Sequence, residues 1–248
     1  MKNCYYMSII VSCLLLSVIN TVVAQRVSEA EASHETEISD LKLLDPVFNI
    51  NIGYVEDHTK PGGGRYLCGG MTNSGAKIAS RVVRNALSRV PTTARAKIDL
   101  KYVILCSRIL ANQQPIGGIP IPPLKLLMID TKRNNEHIVL HELYHLIEFQ
   151  FNTYNDPDWQ QQFGASGYVN SYRGQLENSP MGSGREGFLN NYSKTFPHEE
   201  RAELFAFLIL NPRGVAAQLR RVDDEIVEQK IEFMIEKCRR LLGLNIRI

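Results

Sequence analysis

Apolar residues in the first half of the chain follow the periods of strands and of a helix. Every second position is apolar in residues 48–54 and again in residues 98–106, which predicts two half-buried strands. Between them, a glycine turn at 62–64 precedes a predicted helix that Ser74 is expected to cap. The residues spaced by four along this helix are expected to face inward: Ile78, Val82, Ala86 and Val90.

The second half of the chain is predicted to be mostly helical. Residues 115–123 are rich in Pro and Gly and predict a loop, and a strand is expected at 124–130. Three helical segments follow, one from Asn134 or Asn135 to about residue 151, one over 197–210 and one over 215–242. A long loop-rich span separates the first two, and such a span is usually functional. Together these elements predict an α+β fold, with a small mixed sheet and a helical C-terminal half.

The start of the chain predicts export from the cell. Residues 8–19 are nearly all apolar, Lys2 precedes them, and Ala24 ends a site that a signal peptidase can read. We therefore expect a secretory signal peptide at 1–24 and a secreted protein. The alternative, an uncleaved anchor, is disfavoured because the run is short for a membrane span of about 20 residues.

Domain organisation follows from the composition after this segment. Residues 25–45 are polar and acidic and predict a flexible acidic arm or a short prosegment. From there the apolar pattern continues without a convincing linker, so residues 46–248 are expected to form one domain.

The overall charge excludes one class of partner. Hydrophobic residues make up 44% of the chain and charged residues 22%, as in ordinary globular proteins. The net charge is +2, from 28 basic and 26 acidic residues, and no run of Lys or Arg concentrates it. Since nucleic-acid binding needs a basic patch, no nucleic acid is expected as partner. After signal cleavage no stable membrane insertion is expected either.

Cysteine usage points to one disulfide. Cleavage of the signal peptide leaves three cysteines, Cys68, Cys106 and Cys238. An exported protein can bridge two of them, and the pair Cys68–Cys106 is the first choice. The remaining thiol is then expected to be buried or intermolecular. A structural zinc bound by cysteines is not expected, because the chain has no Cys-x-x-Cys spacing.

One motif carries recognisable chemistry. Residues 141–145 read His-Glu-Leu-Tyr-His, which is the pattern H-E-x-x-H. On a helix, residues four apart lie on one face, so the imidazoles of His141 and His145 can reach the same zinc ion. Glu142 lies about 100° further around the helix, where its carboxylate can take a proton from a water on the metal. His137 is spaced to extend the series, but its charged neighbours predict a surface residue.

A zinc peptidase needs a third protein ligand, and residues 192–203 offer candidates. The glycine and third histidine of the short metzincin continuation do not follow His145. Downstream of Pro197, Glu199 and Glu203 are spaced to share one helix face, so that one can bind the metal and the other can orient a ligand imidazole. His198 is a competing third ligand. The phenol of Tyr192, seven residues before Glu199, can hydrogen-bond an oxyanion.

These residues resemble those of a known family. Tyr192, six further residues and then Glu199-x-x-Ala202-Glu203, downstream of H-E-x-x-H, are similar to the site of the gluzincins, such as anthrax lethal factor and the secreted bacterial Pro-Pro endopeptidases. Residues 156–159, Asp-Pro-Asp-Trp, and residues 187–192 also resemble a family of secreted zinc-binding metallopeptidases. The resemblance covers about residues 120–210.

The resemblance implies a zincin-like fold and a zinc-dependent endopeptidase with a peptide or protein substrate. It implies one Zn²⁺ per chain, bound by His141, His145 and Glu199. Glu203 would orient a ligand, Glu142 would activate the zinc-bound water, and Tyr192 would stabilise the oxyanion. The strand at 124–130 would form the upper edge of the cleft, and Glu200 would face solvent.

An alternative function, binding without catalysis, remains open. The same residues suit a secreted zinc-containing binding or toxin-like module without peptidase activity. The intact Glu142 and Tyr192 argue against it, since a structural zinc requires neither. Cleavage specificity and oligomeric state cannot be read from the sequence.

Overall fold

The computed structural model describes residues 41–59, 66–133, 135–172, 179–184 and 186–248. The predicted signal peptide at 1–24, the predicted arm up to residue 40, the glycine turn at 62–64 and Asn134 lie outside the described residues. The last part of the predicted arm takes part in the fold, because Lys42 and Leu43 pair with a strand of the main sheet. Paired structure therefore begins before the predicted boundary at residue 46.

The strands form two sheets. They are β1 (Lys42–Leu43), β2 (Asn51–Tyr54), β3 (Tyr66–Cys68), β4 (Tyr102–Cys106), β5 (Ile109–Ala111), β6 (Gln114–Ile116), β7 (Gly118–Ile121) and β8 (Leu126–Asp130). The main sheet has the order β1-β2-β4-β8-β7, in which β2, β4 and β8 run parallel and the two outer strands antiparallel. The second sheet is antiparallel, in the order β3-β5-β6. The small mixed sheet predicted from the sequence is confirmed.

The helices are α1 (Asn73–Arg89), α2 (Thr92–Arg95), α3 (Glu136–Gln150), α4 (Pro157–Phe163), α5 (Pro197–Leu210), α6 (Pro212–Val222) and α7 (Glu225–Leu242). A short 3₁₀ turn, Pro122–Leu124, precedes β8. With a mixed sheet and several helices, the chain is of the α+β class. None of the helices in the described part of the chain combines the length and apolar character needed to cross a bilayer.

The predicted loop at 115–123 is wrong. These residues supply part of β6 and all of β7, and only their end is a turn. Pro115 and Pro120 lie in the outer strands of their sheets, where a missing backbone N–H can face away from the ladder. The first predicted strand is shorter than expected, because Phe48 and Asn49 have positive φ and only Asn51–Tyr54 is extended.

Helix α1 is rotated from its predicted orientation. Thr72, not Ser74, caps it by accepting from the backbone N–H of Gly75. Its buried apolar residues are Ala76, Val83, Ala86 and Leu87, while Ile78 is 65% exposed. Residues strictly four apart advance by about 400° on a helix, so a stripe of that spacing drifts across the surface.

Helices α1 and α3 pack against the main sheet and against each other, with α1 on β2 and β4 and α3 on β7 and β8. Asn135 caps α3, accepting from the N–H of Ile138, within the predicted bounds. Helix α5 packs on α3 in the most extensive contact between two described elements. As a result α3 is covered on all sides, and every residue from His137 to Glu148 is buried.

The remaining helices close the C-terminal half. Helix α4, which Asp156 caps, lies in the span predicted to be loop-rich. The predicted helical segment 215–242 is two helices, because Asp223 adopts a left-handed conformation and Asp224 caps the next helix with its side chain.

A disulfide joins the two sheets. Cys68 of β3 is bonded to Cys106 of β4, as predicted, and Cys238 is a free, buried thiol. The cross-link closes a loop of 38 residues. In the chain-entropy account, a loop of this length stabilises the fold by about 4 kcal/mol.

Replacing both cysteines, Cys68→Ala with Cys106→Ala, should therefore lower the free energy of unfolding by roughly 3–4 kcal/mol, measured by urea denaturation. As a control, a reductant should lower the stability of the wild type and leave the double variant unchanged. A double variant as stable as the oxidised wild type would contradict this role.

Candidate metal centre

Two helices bring the motif residues together. His141 and His145 lie one turn apart on the face of α3 that meets α5, and Glu199 and Glu203 lie one turn apart on the opposing face of α5. Pro197 occupies the first turn of α5, where its missing N–H costs nothing. All four side chains are less than 10% exposed, so the cluster is shielded from bulk water.

Three ligand atoms converge on one point. His141 Nε2 lies 2.9 Å from Glu199 Oε2, His145 Nε2 lies 3.3 Å from the same oxygen, and the two nitrogens are 3.1 Å apart. Ligands about 2.0–2.1 Å from a tetrahedral zinc lie roughly 3.3 Å from one another. The triangle is therefore close to the size that a single metal ion requires.

The outer nitrogens of both imidazoles face carboxylates. His141 Nδ1 lies 2.8 Å from Glu203 Oε1, and His145 Nδ1 lies 3.3 Å from Glu148 Oε2. A carboxylate only accepts, so each Nδ1 carries a hydrogen, and loss of the proton from Nε2 would present a lone pair to the cluster. This arrangement orients an imidazole for metal binding.

Glu203 is itself held by neighbours that the sequence did not indicate. Asn190 donates its side-chain amide to Glu203 Oε2, and His137 Nε2 lies 2.9 Å from Oε1. The prediction of a surface position for His137 is wrong, because α5 covers the first turns of α3 and Phe207 packs 4.5 Å from the His137 ring.

Buried ion pairs surround the centre. Arg201 donates to Glu148 Oε1 at 2.5 Å and so fixes the carboxylate behind His145. Glu200, predicted to face solvent, is 1% exposed and accepts from Lys230 Nζ of α7 at 3.0 Å. Burial raises the pKa of Glu200 to about 7, although Lys230 and Tyr168 act in the opposite direction. The solvent-facing prediction failed because the covering helix α7 lies about 30 residues away in sequence.

Glu142 lies against β7 of the main sheet. It is 8% exposed, and a Cβ on Gly118 of β7 would lie 2.6 Å from its Cγ. Only a glycine leaves room for this carboxylate. The strand beside the centre is thus the outer strand β7, and the expectation that residues 124–130 form the edge is wrong, because β8 is flanked by β4 and β7.

Two tyrosines border the cluster. The ring of Tyr192 lies 5.8 Å from that of His141 and is buried. Tyr172, which the sequence did not indicate, donates its hydroxyl to Glu199 Oε1 at 2.7 Å. His198, the competing third ligand, has its Nε2 3.3 Å from the same Oε1 and is not part of the group of ligand atoms formed by His141, His145 and Glu199.

The carboxylates favour positive charge at the centre. Despite burial, Glu199 and Glu148 raise the pKa of His145 to about 9. Despite burial, Glu199 and Glu203 also hold the pKa of His141 well above its ordinary value. Conversely, burial alone would raise the pKa of Glu203, but His137 and His141 lower it to about 2. Buried His and Glu groups with this electrostatic preference can hold a metal ion.

The raised imidazole pKa values predict how the metal-free protein responds to pH. A group whose pKa is raised on folding stabilises the folded protein fully at a pH below its pKa in the unfolded chain, which is 6.5 for histidine. This stabilisation is lost as the pH rises through the pKa that the group has in the folded protein. Urea denaturation of chelator-treated protein should therefore show stability falling from about pH 6.5 to about 9. With excess zinc the fall should disappear, because the metal binds the deprotonated imidazoles. Stability that rises over this interval in chelator would contradict the assignment.

Comparison with known proteins does not identify the chain. The sequence models of known protein families give no match to it, and no curated protein matches it.

Proposed function

We propose that this chain is a secreted zinc-dependent endopeptidase of the gluzincin type. The observation that carries the proposal is the convergence of His141 Nε2, His145 Nε2 and Glu199 Oε2 within 3.3 Å of one another. Two imidazoles and one carboxylate form a known ligand set of catalytic zinc and leave a fourth position open. The mixed sheet with the motif helix packed against it suits a zincin-like fold.

The metal chemistry fits the residues present. A zinc ion held by these three side chains would act as a Lewis acid, polarising a peptide carbonyl and making water more acidic. The Nδ1–H of each imidazole is taken by a carboxylate, so a cation that displaces the Nε2 protons would bind the lone pairs of both Nε2 atoms. The same ligand set can hold ferrous iron, and the presence of Glu142 beside it favours hydrolysis.

Glu142 is the general base in this proposal. Its carboxylate follows His141 by one residue, outside the ligand triangle, and Gly118 allows it to lie close to β7. It takes the proton that the attacking water loses and then delivers it to the leaving amine. A buried carboxylate held against a strand needs little reorganisation for this transfer.

Tyr192 and β7 complete the proposed machinery. The Tyr192 phenol, whose ring lies 5.8 Å from His141, donates a hydrogen bond to the oxyanion that develops on the substrate carbonyl. In the described part of the chain β7 pairs with β8 on one side only, so its other edge can receive an extended peptide by main-chain pairing.

Two features support the proposed location outside the cell. The disulfide between Cys68 and Cys106 belongs to an oxidising compartment. The apolar N-terminal segment at 1–24 has the pattern of a signal peptide. The rival, a zinc-containing binding module without activity, gives no reason for a carboxylate at 142 that requires a glycine opposite.

Glu142→Gln tests the mechanism. The variant should bind one zinc per chain and lose peptidase activity on a peptide library by about 10²–10⁴-fold, because an amide cannot take the proton. Glu136→Gln, on the first turn of the same helix and paired with Arg89, is the matched control and should retain activity. A wild type that binds zinc and cleaves no peptide would favour the binding module, and an active Glu142→Gln would remove this carboxylate from the mechanism.

Gly118→Ala tests the position of Glu142 without changing its chemistry. The new methyl group would lie 2.6 Å from Glu142 Cγ and must displace the side chain. We expect kcat to fall about 100-fold, as for a catalytic group moved by about 1 Å, while zinc affinity is retained. Gly75→Ala in α1 is the control, since it adds the same methyl group away from the centre. Unchanged kcat in Gly118→Ala would contradict the close packing.

A further inference from the structure

Tyr172 has no role in the proposed reaction, yet its hydroxyl contacts Glu199, a proposed zinc ligand. Tyr172 is 50% exposed, and its ring packs 4.7 Å from Phe196 and 6.4 Å from Tyr192. Its hydroxyl nevertheless reaches the buried Glu199 and donates to Oε1 at 2.7 Å. A hydrogen bond from a phenol to a buried carboxylate is charge-assisted and therefore strong.

The two oxygens of Glu199 consequently have separate surroundings. Oε2 faces both imidazoles, at 2.9 Å and 3.3 Å, whereas Oε1 faces Tyr172 and, at 3.3 Å, His198 Nε2. A carboxylate with both oxygens free can bind a metal through either or through both. Here the second oxygen, Oε1, already accepts a hydrogen bond from the Tyr172 hydroxyl.

We infer that Tyr172 is a positioning residue that makes Glu199 a one-oxygen metal ligand. This inference rests on the proposed metal site. By holding Oε1, the phenol fixes the rotation of the carboxylate about its last bond and keeps Oε1 out of the fourth position. That position then stays available for water and substrate, as a hydrolytic centre requires.

His198 cannot replace this hydrogen bond fully. Its Nε2 lies 3.3 Å from both Glu199 Oε1 and the Tyr172 hydroxyl, which is longer than the 2.7 Å of the phenol contact. The His198 ring is stacked between Tyr154, at 4.5 Å, and Phe196, at 5.3 Å, so it has little freedom to approach. Loss of the phenol should therefore release Oε1.

The variant Tyr172→Phe removes only the hydroxyl, and Tyr154→Phe is the matched control from the same group of stacked rings. Zinc affinity is measured on the full chain by competition with a chelator. Tyr172→Phe should bind zinc about 10–100-fold more weakly, as when a group that orients a metal ligand is lost, and Tyr154→Phe within about 2-fold of the wild type.

Cobalt(II) substitution supplies a signature that a merely structural role would not change. The visible bands of four-coordinate cobalt are intense and weaken when a fifth ligand atom binds. Cobalt-loaded Tyr172→Phe should therefore show weaker bands than the wild type and Tyr154→Phe, because Oε1 now joins the metal. Equal thermal unfolding of the three metal-free proteins would show that the change is local.

The outcomes separate the two proposals. Wild-type zinc affinity and an unchanged cobalt spectrum in Tyr172→Phe would overturn the positioning role alone. A wild type that binds zinc and cleaves no peptide would overturn the peptidase proposal and leave the positioning role in place. A wild type that binds neither zinc nor cobalt would overturn both.

Discussion

The packing of α5 against α3 is the contact on which the centre depends. It buries two histidines of one helix against two glutamates of the other, in a region shielded from water. Buried charges are tolerated only when they are paired. The helices therefore meet in the register in which each imidazole nitrogen faces a carboxylate oxygen, and that register aims both Nε2 atoms at Glu199.

Buried charges are also paired outside the metal centre. Arg201 pairs with the glutamate behind His145, Lys230 of α7 pairs with Glu200, and Lys237 pairs with Asp156 at the start of α4. Each of these pairs joins two elements distant in sequence. Removing one member of such a buried pair leaves an uncompensated charge, so arrangements of these elements that break the pairs are disfavoured.

The local sequence pattern predicted the helices and strands of this chain better than it predicted which of their residues other elements cover. The bounds of α3 followed from its spacing and its cap, which are local properties, and Cys68–Cys106 was the first choice among the pairs that three cysteines allow. The burial of His137 and Glu200 did not follow from the local pattern, since helices from elsewhere in the chain cover them. Tyr172 and Gly118 reach the centre from loop and strand segments whose place only the tertiary fold determines.

Zinc-edge X-ray absorption on protein loaded with one equivalent of zinc tests the central claim most directly. A centre built by His141, His145 and Glu199 should show two imidazoles and two further oxygen or nitrogen ligands, all at about 2.0–2.1 Å. Replacing the carboxylate, with Glu199→Ala, should change the shell while both imidazoles remain. A shell with no imidazole, with sulfur, or with the spectrum of hydrated zinc would contradict a metal centre built by α3 and α5.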